Sequence, residues 1–227
     1  MRLKANIFTY EETRLLLKEG ITFSSHSIRE HDEIIGYKKA FDYLYTILKE
    51  SQPITEEFIK MLHSFVLRGD DEAGEYRQIQ NYIGNMFNVK YTPCSPSEVP
   101  NKMREYVQEL QNDMAENISV KPQDSVDWIK LLHCLAKHHI EFEKIHPFVD
   151  GNGRTGRLLL LYEFISVGLL PVDIRYEERT RYYAALAAYD DKAKYSTRAE
   201  SKTEAMAKLL AESELLSMEA WIRTFGN

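Results

Sequence analysis

Cysteine is scarce in this sequence, which argues against a fold stabilised by disulfide bonds. Only two cysteines occur in 227 residues, Cys94 and Cys134. Their spacing fits neither a CxxC pair nor a zinc finger, so neither a disulfide scaffold nor a metal knuckle is indicated. Because proteins of the cytoplasm usually keep their cysteines reduced, we expect a cytoplasmic location.

Long apolar runs and an excess of positive charge are also absent. The longest apolar stretch, Leu158 to Leu170, is interrupted by Glu163 and is shorter than the ~20 residues of a membrane-spanning helix. The first residues lack the apolar core and cleavage site of a signal peptide. A net charge of −6 and a pI of about 5.7 argue against nucleic acid as the main partner, since binding to phosphates requires a basic face. We expect no membrane partner and no nucleic acid as the main partner.

Capping patterns and the spacing of apolar residues predict a mainly α-helical domain. Thr9 and Glu12 have the sequence pattern of a capping box, and Gly20 is expected to end the helix that follows. We expect the helix before residue 146 to bury an apolar stripe that begins at Trp128. Helical spacing of apolar residues predicts further helices over 28–48, over 53–69, after residue 100, from a cap at Asp124 or Asp127 to residue 145, and at the C-terminus up to Phe225.

One stretch does not have helical spacing. Residues 77–100 combine β-branched and aromatic residues with a central Gly84, and three prolines follow. This composition predicts a short hairpin near 77–91 and then an irregular loop.

The segment HPFVDGNGRTGR, which we name the signature segment, occupies residues 146–157. Pro147 cannot donate a backbone hydrogen bond and disfavours helical geometry in its predecessor, so His146 should lie where a helix ends. A glycine-rich turn follows, and it leads into a very apolar helix predicted over 158–167. Unpaired N–H groups at such a turn, at the positive end of the helix dipole, predict an anion site.

The side chains of the signature segment extend this anion site to a polyphosphate site. Arg154 and Arg157 add positive charge. Asp150 supplies the hard oxygen ligand that a Mg²⁺ ion bridging phosphates would need. His146 has an unperturbed pKa suited to a general base at neutral pH. Two residues without a Cβ would let phosphates approach the backbone: Gly151 and Gly153.

Other interpretations of the same segment fit less well. An EF-hand loop would need a ligand in place of Arg154 and a glycine in place of Thr155, and a Walker loop would need a lysine after Gly156. The GxGxxG spacing of a dinucleotide site is present, but it follows a helix instead of a strand. A histidine that merely caps a helix beside solvated arginines would leave the aspartate and the Gly-Asn-Gly sequence unexplained.

The signature segment resembles that of the Fic (FIDO) family, HxFx(D/E)GNGRxxR, and every defined position is present. The Tyr-rich sequence ERTRYYAALAAYD after it is similar to a helix of that family, and GEYRQIQNYIG before it is similar to the hairpin called the flap. The resemblance implies a single Fic-type helical domain with a β-hairpin flap. We expect an N-terminal helix over 1–20, the catalytic domain over 21–195 and a C-terminal helix over 196–227.

The resemblance also implies an activity: a protein adenylyltransferase, which transfers AMP from ATP–Mg²⁺ to a Ser, Thr or Tyr hydroxyl of a protein. By this resemblance His146 is the base, Asp150 holds Mg²⁺ and Arg157 binds the γ-phosphate. The flap would hold an extended segment of the target as an added strand. For the flap residues and the tyrosines, core packing is an equally good interpretation. The resemblance places the following residues near the nucleotide: Gly151, Asn152, Gly153, Arg154, Thr155, Gly156, Ile83, Gly84, Asn85, Met86, Tyr182, Tyr183 and Asp190.

The expected device for self-inhibition is altered in this chain. Many Fic proteins carry [S/T]xxxE[G/N], whose glutamate pairs with the second arginine of the signature. In SSHSIREHDEII the pattern starts at Ser25, but Arg29 occupies the glutamate position. Glu30 is displaced by one residue, which is about 100° of rotation on a helix. Ser196 with Glu200 is a second, looser candidate. We expect self-inhibition to be weakened or altered.

Two functional alternatives and several partner questions stay open. The chain could be a Fic-fold enzyme that transfers another phosphate-linked group, although the intact Gly-Asn-Gly sequence favours AMP. It could instead be a non-catalytic interaction module, although the intact His146, Asp150, Arg154 and Arg157 argue against that. A separate target protein, modification of the chain itself, and a homodimer are all compatible with the sequence.

Overall fold

A computed structural model describes residues 8–85, 88–118, 127–190 and 200–226. The prediction of a mainly helical fold with a small hairpin is confirmed. The described residues form α1 (Tyr10–Glu19), α2 (Ile28–Lys49), α3 (Glu56–Val66), β1 (Ile83–Asn85), β2 (Asn88–Tyr91), α4 (Val99–Ile118), α5 (Trp128–Ile145), α6 (Asn152–Ser166), α7 (Arg179–Asp190) and α8 (Glu200–Phe225).

Capping boxes begin the first two helices. Thr9 and Glu12 form the predicted box at α1, and Gly20 ends that helix in the left-handed conformation with φ 70°. Ser27 and Glu30 form an equivalent box at α2, in which the Glu30 side chain accepts a hydrogen bond from the Ser27 backbone. Each box satisfies N–H groups that a helix start leaves without intrahelical partners.

Two other helix boundaries differ slightly from the predictions. Thr55 caps α3 as predicted, but the helix ends three residues before Gly69, which lies in the following turn with φ 82°. At α5, the Asp127 carboxylate accepts a hydrogen bond from the backbone N–H of Lys130 at 3.1 Å, as expected for a cap. The other predicted cap, Asp124, lies outside the described residues.

The helix after the glycine-rich turn begins six residues earlier than predicted, at Asn152. The Asn152 amide closes the turn by itself: Oδ1 accepts from the Phe148 N–H at 2.9 Å, and Nδ2 donates to the Phe148 carbonyl at 2.8 Å. The chain can therefore become helical at once. Of the three glycines in the signature segment, Gly151 alone has a positive φ, 76°.

The chain forms two compact units. The first is Met1–Val107 with Ile145–Leu158, and the second is Gln108–Lys144 with Leu159–Asn227. The predicted boundaries near residues 20 and 195 stay predictions. Buried apolar residues of the first unit include Leu44, Ile59, Leu62, Met103 and Phe148, and those of the second include Leu110, Leu135, Ile140, Phe142 and Phe164.

A glycine allows α2 and α3 to approach closely within the first unit. A Cβ added at Gly36 would lie 2.2 Å from the Phe65 carbonyl oxygen, so a larger residue would force the helices apart. In the second unit, one predicted burial is wrong. Trp128 is 51% exposed, because it is the first residue of α5, while Leu131 and Leu135 further along the stripe are buried.

No helix in the described ranges is long and apolar enough to cross a membrane.

Candidate active site

His146 directly follows α5 and has a backbone conformation that is rare for a residue with a side chain. Its φ is 50°, and Pro147 disfavours the right-handed helical geometry that would continue α5. The residue is buried, with 6% of its surface exposed. The prediction that His146 lies where the helix ends is confirmed.

A buried arginine from outside the signature segment holds this strained position. Arg77 is 1% exposed, and its Nε donates to the His146 carbonyl oxygen at 2.8 Å. The same guanidinium donates to the carbonyls of Cys94 at 2.6 Å and Ile79 at 3.2 Å, and the Arg77 backbone N–H donates to the Pro147 carbonyl at 2.9 Å. A longer contact, 3.4 Å from the guanidinium to the Ile145 carbonyl, lies before His146, so Arg77 positions His146 by binding the backbone on both sides of it.

A histidine of α3 supports the turn that follows. The His63 ring stacks on the Phe148 ring with 3.6 Å between centroids and 3° between planes. His63 Nδ1 accepts from the Gly74 N–H at 2.9 Å, so Nε2 carries the proton and donates to the Asp150 carbonyl at 3.0 Å. Burial lowers the pKa of His63 to about 4, which keeps the ring neutral.

Gly151 is required both by its conformation and by its surroundings. Its φ of 76° is unfavourable for a residue with a Cβ. A Cβ added there would also lie 3.1 Å from His63 Nε2 and 3.3 Å from Leu67 Cγ. The turn can therefore keep its shape only with glycine at this position.

The start of α6 provides donors for an anion. The N–H groups of Arg154 and Thr155 donate to the Gly151 carbonyl, at 3.1 and 3.0 Å, and begin the helix. The Gly151 N–H donates to the Asp150 side chain at 2.7 Å. Within the described residues, the N–H groups of Asn152 and Gly153 have no acceptor. Two adjacent free donors at a helix N-terminus are the arrangement that the sequence predicted.

Four charged side chains form a closed ring beside this turn, which we name the charge ring. Its members are Arg29 and Glu33 of α2, Asp150 and Arg154. The ion-pair distances are 3.4 Å for Arg29–Asp150, 3.8 Å for Asp150–Arg154, 3.6 Å for Arg154–Glu33 and 3.7 Å for Glu33–Arg29. These pairs are long and partly solvated, so a ligand can replace them at small cost.

The remaining signature residues differ in how accessible they are. Arg157 is half-buried, and its guanidinium has no hydrogen-bond or ion-pair partner in the part of the chain that the structure describes. It is thus the arginine of this segment whose donors stay available. Thr155 and Gly156 are buried inside α6, so a direct contact of their side chains with a nucleotide stays a prediction.

Two of the residues considered for self-inhibition, Ser25 and Glu30, lie near the start of α2. In the second candidate, Ser196 lies outside the described residues. Ser25 is exposed in the turn before the helix. The Glu30 carboxylate accepts from the backbone N–H and the hydroxyl of Ser27, at 2.8 and 3.0 Å, and caps α2. Arg29, which occupies the expected glutamate position, contacts Asp150. The inhibitory role of Glu30 stays a prediction.

The hairpin is shorter than the predicted span but lies at the predicted place. Ile83 is opposite Tyr91, and Gly84 is opposite Val89, with an irregularity between Ile83 and Gly84. Asn81 ties the base of the hairpin to the signature segment, since its Nδ2 donates to the Phe148 carbonyl at 2.9 Å. Asn85 pairs with Asn88. Met86 lies outside the described residues.

The tyrosines predicted near the nucleotide belong to the second unit. Tyr182 is 3% exposed, and its hydroxyl lies 3.0 Å from His139 Nε2. Its ring also contacts that of Tyr183, at 5.5 Å between centroids. Asp190 is the last residue of α7. A role of these three residues at a nucleotide stays a prediction.

Sequence reasoning missed four residues that shape the site: His63, Arg77, Asn81 and Glu33. His63 gave a signal, because it is a polar residue on the apolar face of α3. Arg77 and Asn81 lie in the segment similar to the flap, but they act by binding backbone carbonyls, and such contacts leave no pattern in a sequence. Glu33 pairs with a residue far along the chain, which spacing cannot reveal.

Comparison with known proteins identifies the domain. The model of the Fic/DOC family matches residues 53–163. These residues form a domain of the Fic/DOC family. The protein adenylyltransferase fic-1 of Caenorhabditis briggsae is 36% identical over 188 residues, which are 81% of this chain and 34% of that protein. The Fic chain thus spans about a third of the length of the curated relatives that it matches.

Solved structures agree with this assignment. Fic-1 from C. elegans is 29% identical, with a TM-score of 0.76 over 98% of this chain and 60% of that one. A Fic domain containing signaling protein from Bacteroides thetaiotaomicron has a TM-score of 0.77, over 95% of this chain and 81% of that one. At 24% identity, this second likeness shows the fold alone. The expected Fic-type fold is confirmed.

Proposed function

We propose that this Fic chain transfers AMP from ATP to a hydroxyl group of a protein. The observation that carries the proposal is the pair of N–H groups at Asn152 and Gly153, which have no acceptor in the described part of the chain and lie beside the charge ring and Arg157. These groups would bind the phosphates of ATP and stabilise the charge that develops on them during transfer. The adenylyltransferase names of the relatives support the same reaction for this chain.

In the proposed reaction, His146 takes the proton of the target hydroxyl. The hydroxyl oxygen then forms a bond to the α-phosphorus, and the bond from that phosphorus to the bridging oxygen breaks. Pyrophosphate leaves with the electron pair of the broken bond. Arg77 contributes by fixing the backbone of His146, and Arg157 would hold the γ-phosphate through its guanidinium.

Asp150 is the residue that would hold Mg²⁺. Its side chain is 52% exposed, and among the described residues Oδ2 has only long contacts, to Arg29 at 3.4 Å and to Arg154 at 3.8 Å. Lone pairs of this carboxylate therefore remain available for a hard cation, as the ligand preference of Mg²⁺ requires. When bound, Mg²⁺ would neutralise phosphate charge and orient the leaving group.

The target would pair with the hairpin as an extended segment. Within the described residues the two strands form a two-stranded sheet, so each has one edge whose backbone groups are not used within the hairpin. An added strand would be held by main-chain hydrogen bonds, which suits targets of varied sequence. Cytoplasmic location and a homodimer stay predictions from the sequence.

The proposal is tested by giving the purified chain Mg²⁺ and ATP labelled at the α-phosphate or the γ-phosphate, with and without cell extract. We expect protein to retain the α-label alone, and His146→Ala to lower the rate by about 10²–10⁴-fold. The matched control is His133→Ala, a histidine of α5 outside the signature segment. Labelling of the chain itself in the absence of extract measures self-modification.

Two results would overturn this proposal. Label retained from the γ-phosphate would indicate phosphoryl transfer. No label from either position, with extract present, would indicate an interaction module without this activity.

A further inference from the structure

The second unit contains a group of metal-ligating side chains that the proposed reaction does not use. Asp113 of α4, Cys134 and His138 of α5 and Glu163 of α6 lie together, and we name them the His138 cluster. The ligand atoms of Asp113, Cys134 and His138 lie within 4.8 Å of one another. No motif in the sequence predicts this group, because its members are spread over three helices.

The distances within the cluster match one face of a tetrahedral metal site. His138 Nε2 lies 3.0 Å from Asp113 Oδ2, and Cys134 Sγ lies 3.6 Å from the same oxygen and 3.7 Å from Nε2. Around a tetrahedral zinc ion with bonds of about 2.0–2.3 Å, ligand atoms are separated by about 3.3–3.6 Å. Movements of a few tenths of an ångström would therefore complete the coordination.

The helical spacing favours the same arrangement. Cys134 and His138 are four residues apart on α5, so they project from one face of the helix. Asp113 reaches the same point from α4. A bound ion would thus connect α4 to α5 within the second unit.

Glu163 orients the histidine as a metal ligand requires. His138 Nδ1 lies 2.6 Å from Glu163 Oε2, and both side chains are 1% exposed. When the buried carboxylate accepts the Nδ1 proton, the other ring nitrogen faces Asp113 and Cys134. Carboxylate–histidine pairs of this kind are common around zinc, where they fix the tautomer and the ring orientation.

The open side of the cluster provides a path for the ion. The Asp113 side chain is 31% exposed, and Cys134 is neither fully buried nor fully exposed. A water molecule can therefore occupy the fourth position. A thiolate together with an imidazole in a tetrahedral arrangement suits zinc, whereas Mg²⁺ prefers oxygen ligands alone.

We propose that Asp113, Cys134 and His138 form a zinc site, in which Glu163 orients His138 and water fills the fourth position. Binding would release the Cys134 thiol proton and any proton on His138 Nε2. The competing occupant of the same space is that proton, shared between His138 and Asp113. The experiment must therefore distinguish a zinc ion from a proton.

The first test uses the full chain without an affinity tag, stripped with EDTA and dialysed. Added Co²⁺ should give a thiolate-to-cobalt charge-transfer band and the visible absorption of a tetrahedral site, and added Zn²⁺ should remove both at about one equivalent. Cys134→Ser should abolish the charge-transfer band. The matched control is Cys94→Ser, which changes the other free cysteine and should leave the band intact.

Glu163→Gln sharpens this test, because it should weaken zinc binding by about 10–100-fold without removing a ligand. If Cys134→Ser does not fold, the reactivity of the thiol in Cys94→Ser gives the answer, since Cys134 is then the single cysteine. Zinc should slow its modification strongly. The proposal is overturned if the cobalt spectrum lacks a thiolate band, or if zinc leaves the Cys134 reaction rate unchanged.

Discussion

Two groups of charged side chains, one in each compact unit, are built in opposite ways. The charge ring of the first unit has ion-pair distances of 3.4–3.8 Å, and its Arg29 and Asp150 side chains are 69% and 52% exposed. In the His138 cluster of the second unit, the pairs with His138 are 2.6 and 3.0 Å long. The side chains of His138 and Glu163 are both buried.

The difference indicates what each group can do. Exposed ion pairs contribute about 0–1 kcal/mol, so the charge ring can open for a nucleotide at small cost. A buried pair is expensive to break, because removing one partner leaves a charge without compensation. Burial opposes the charge on His138, but the Glu163 carboxylate and the bond to Asp113 raise the pKa of His138 to about 12 when no cation is bound.

The largest effect is expected when the buried pair is broken. Glu163→Ala should lower the free energy of unfolding by about 3–5 kcal/mol, since it leaves His138 buried beside a cavity. Urea denaturation in the presence of EDTA measures this loss without a contribution from zinc. The matched control is Glu109→Ala, which removes the partially exposed partner of Lys137, the residue of α5 directly before His138.

Glu109→Ala should cost less than about 1 kcal/mol. If Glu163→Ala and Glu109→Ala lower the free energy of unfolding equally, burial does not determine how much an ion pair contributes to stability.

The pH dependence of the free energy of unfolding tests whether His63, next to the charge ring, is shielded from solvent as His138 is in its cluster. His63 lies beneath the ring, and its pKa of about 4 is below the ordinary value of 6.5. Between these values the unfolded chain binds a proton that the folded chain does not, so the free energy of unfolding falls as the pH falls. The loss by pH 4 should approach about 3 kcal/mol, because burial disfavours the charged ring and so lowers the pKa of His63 in the folded chain.

Urea denaturation at several pH values between 7 and 4 measures this loss. His63→Gln is the control, because glutamine does not titrate. Its stability should change less with pH over the same range, and parallel curves for the two proteins would contradict the assignment to His63.

Much of the fold and the linear part of the site could be predicted, because both depend on short-range patterns. The capping box at Thr9, the end of α5 at His146 and the hairpin around Gly84 each follow from a few neighbouring residues. The start of α6 could not be placed correctly, because the Asn152 amide closes the turn through geometry that the glycine pattern does not contain.

The parts that could not be predicted depend on contacts between distant residues. Arg77 holds His146 across 69 positions, and Arg29 reaches Asp150 across 121. The His138 cluster could not be predicted for the same reason, since its members lie on three different helices. Cys134 alone gave no indication of a metal site, since its partners come from other helices.

A smaller effect is expected when the charge ring loses one member. Arg29 competes with a cation for Asp150, so Arg29→Ala should lower the Mg²⁺ concentration for half-maximal AMP transfer by about two- to fivefold. The control is Arg14→Ala, an arginine of the same unit that pairs with Glu11. A Mg²⁺ requirement that is unchanged or higher in Arg29→Ala would contradict competition at Asp150.

The smallest effect on activity is expected next to the ring, at Glu30. Its carboxylate caps α2, and Arg29 occupies the position of the usual inhibitory glutamate. We therefore expect Glu30→Gly to change ATP turnover by less than about twofold and to lower the midpoint of thermal unfolding by about 2–4 °C. Glu12→Gly removes the equivalent glutamate from the box at α1 and should lower the midpoint by a similar amount. If Glu30→Gly instead raises turnover strongly while Glu12→Gly does not, Glu30 is a working inhibitory residue. The first unit then contains, next to its exposed charge ring, an inhibitory contact that must break before ATP is used.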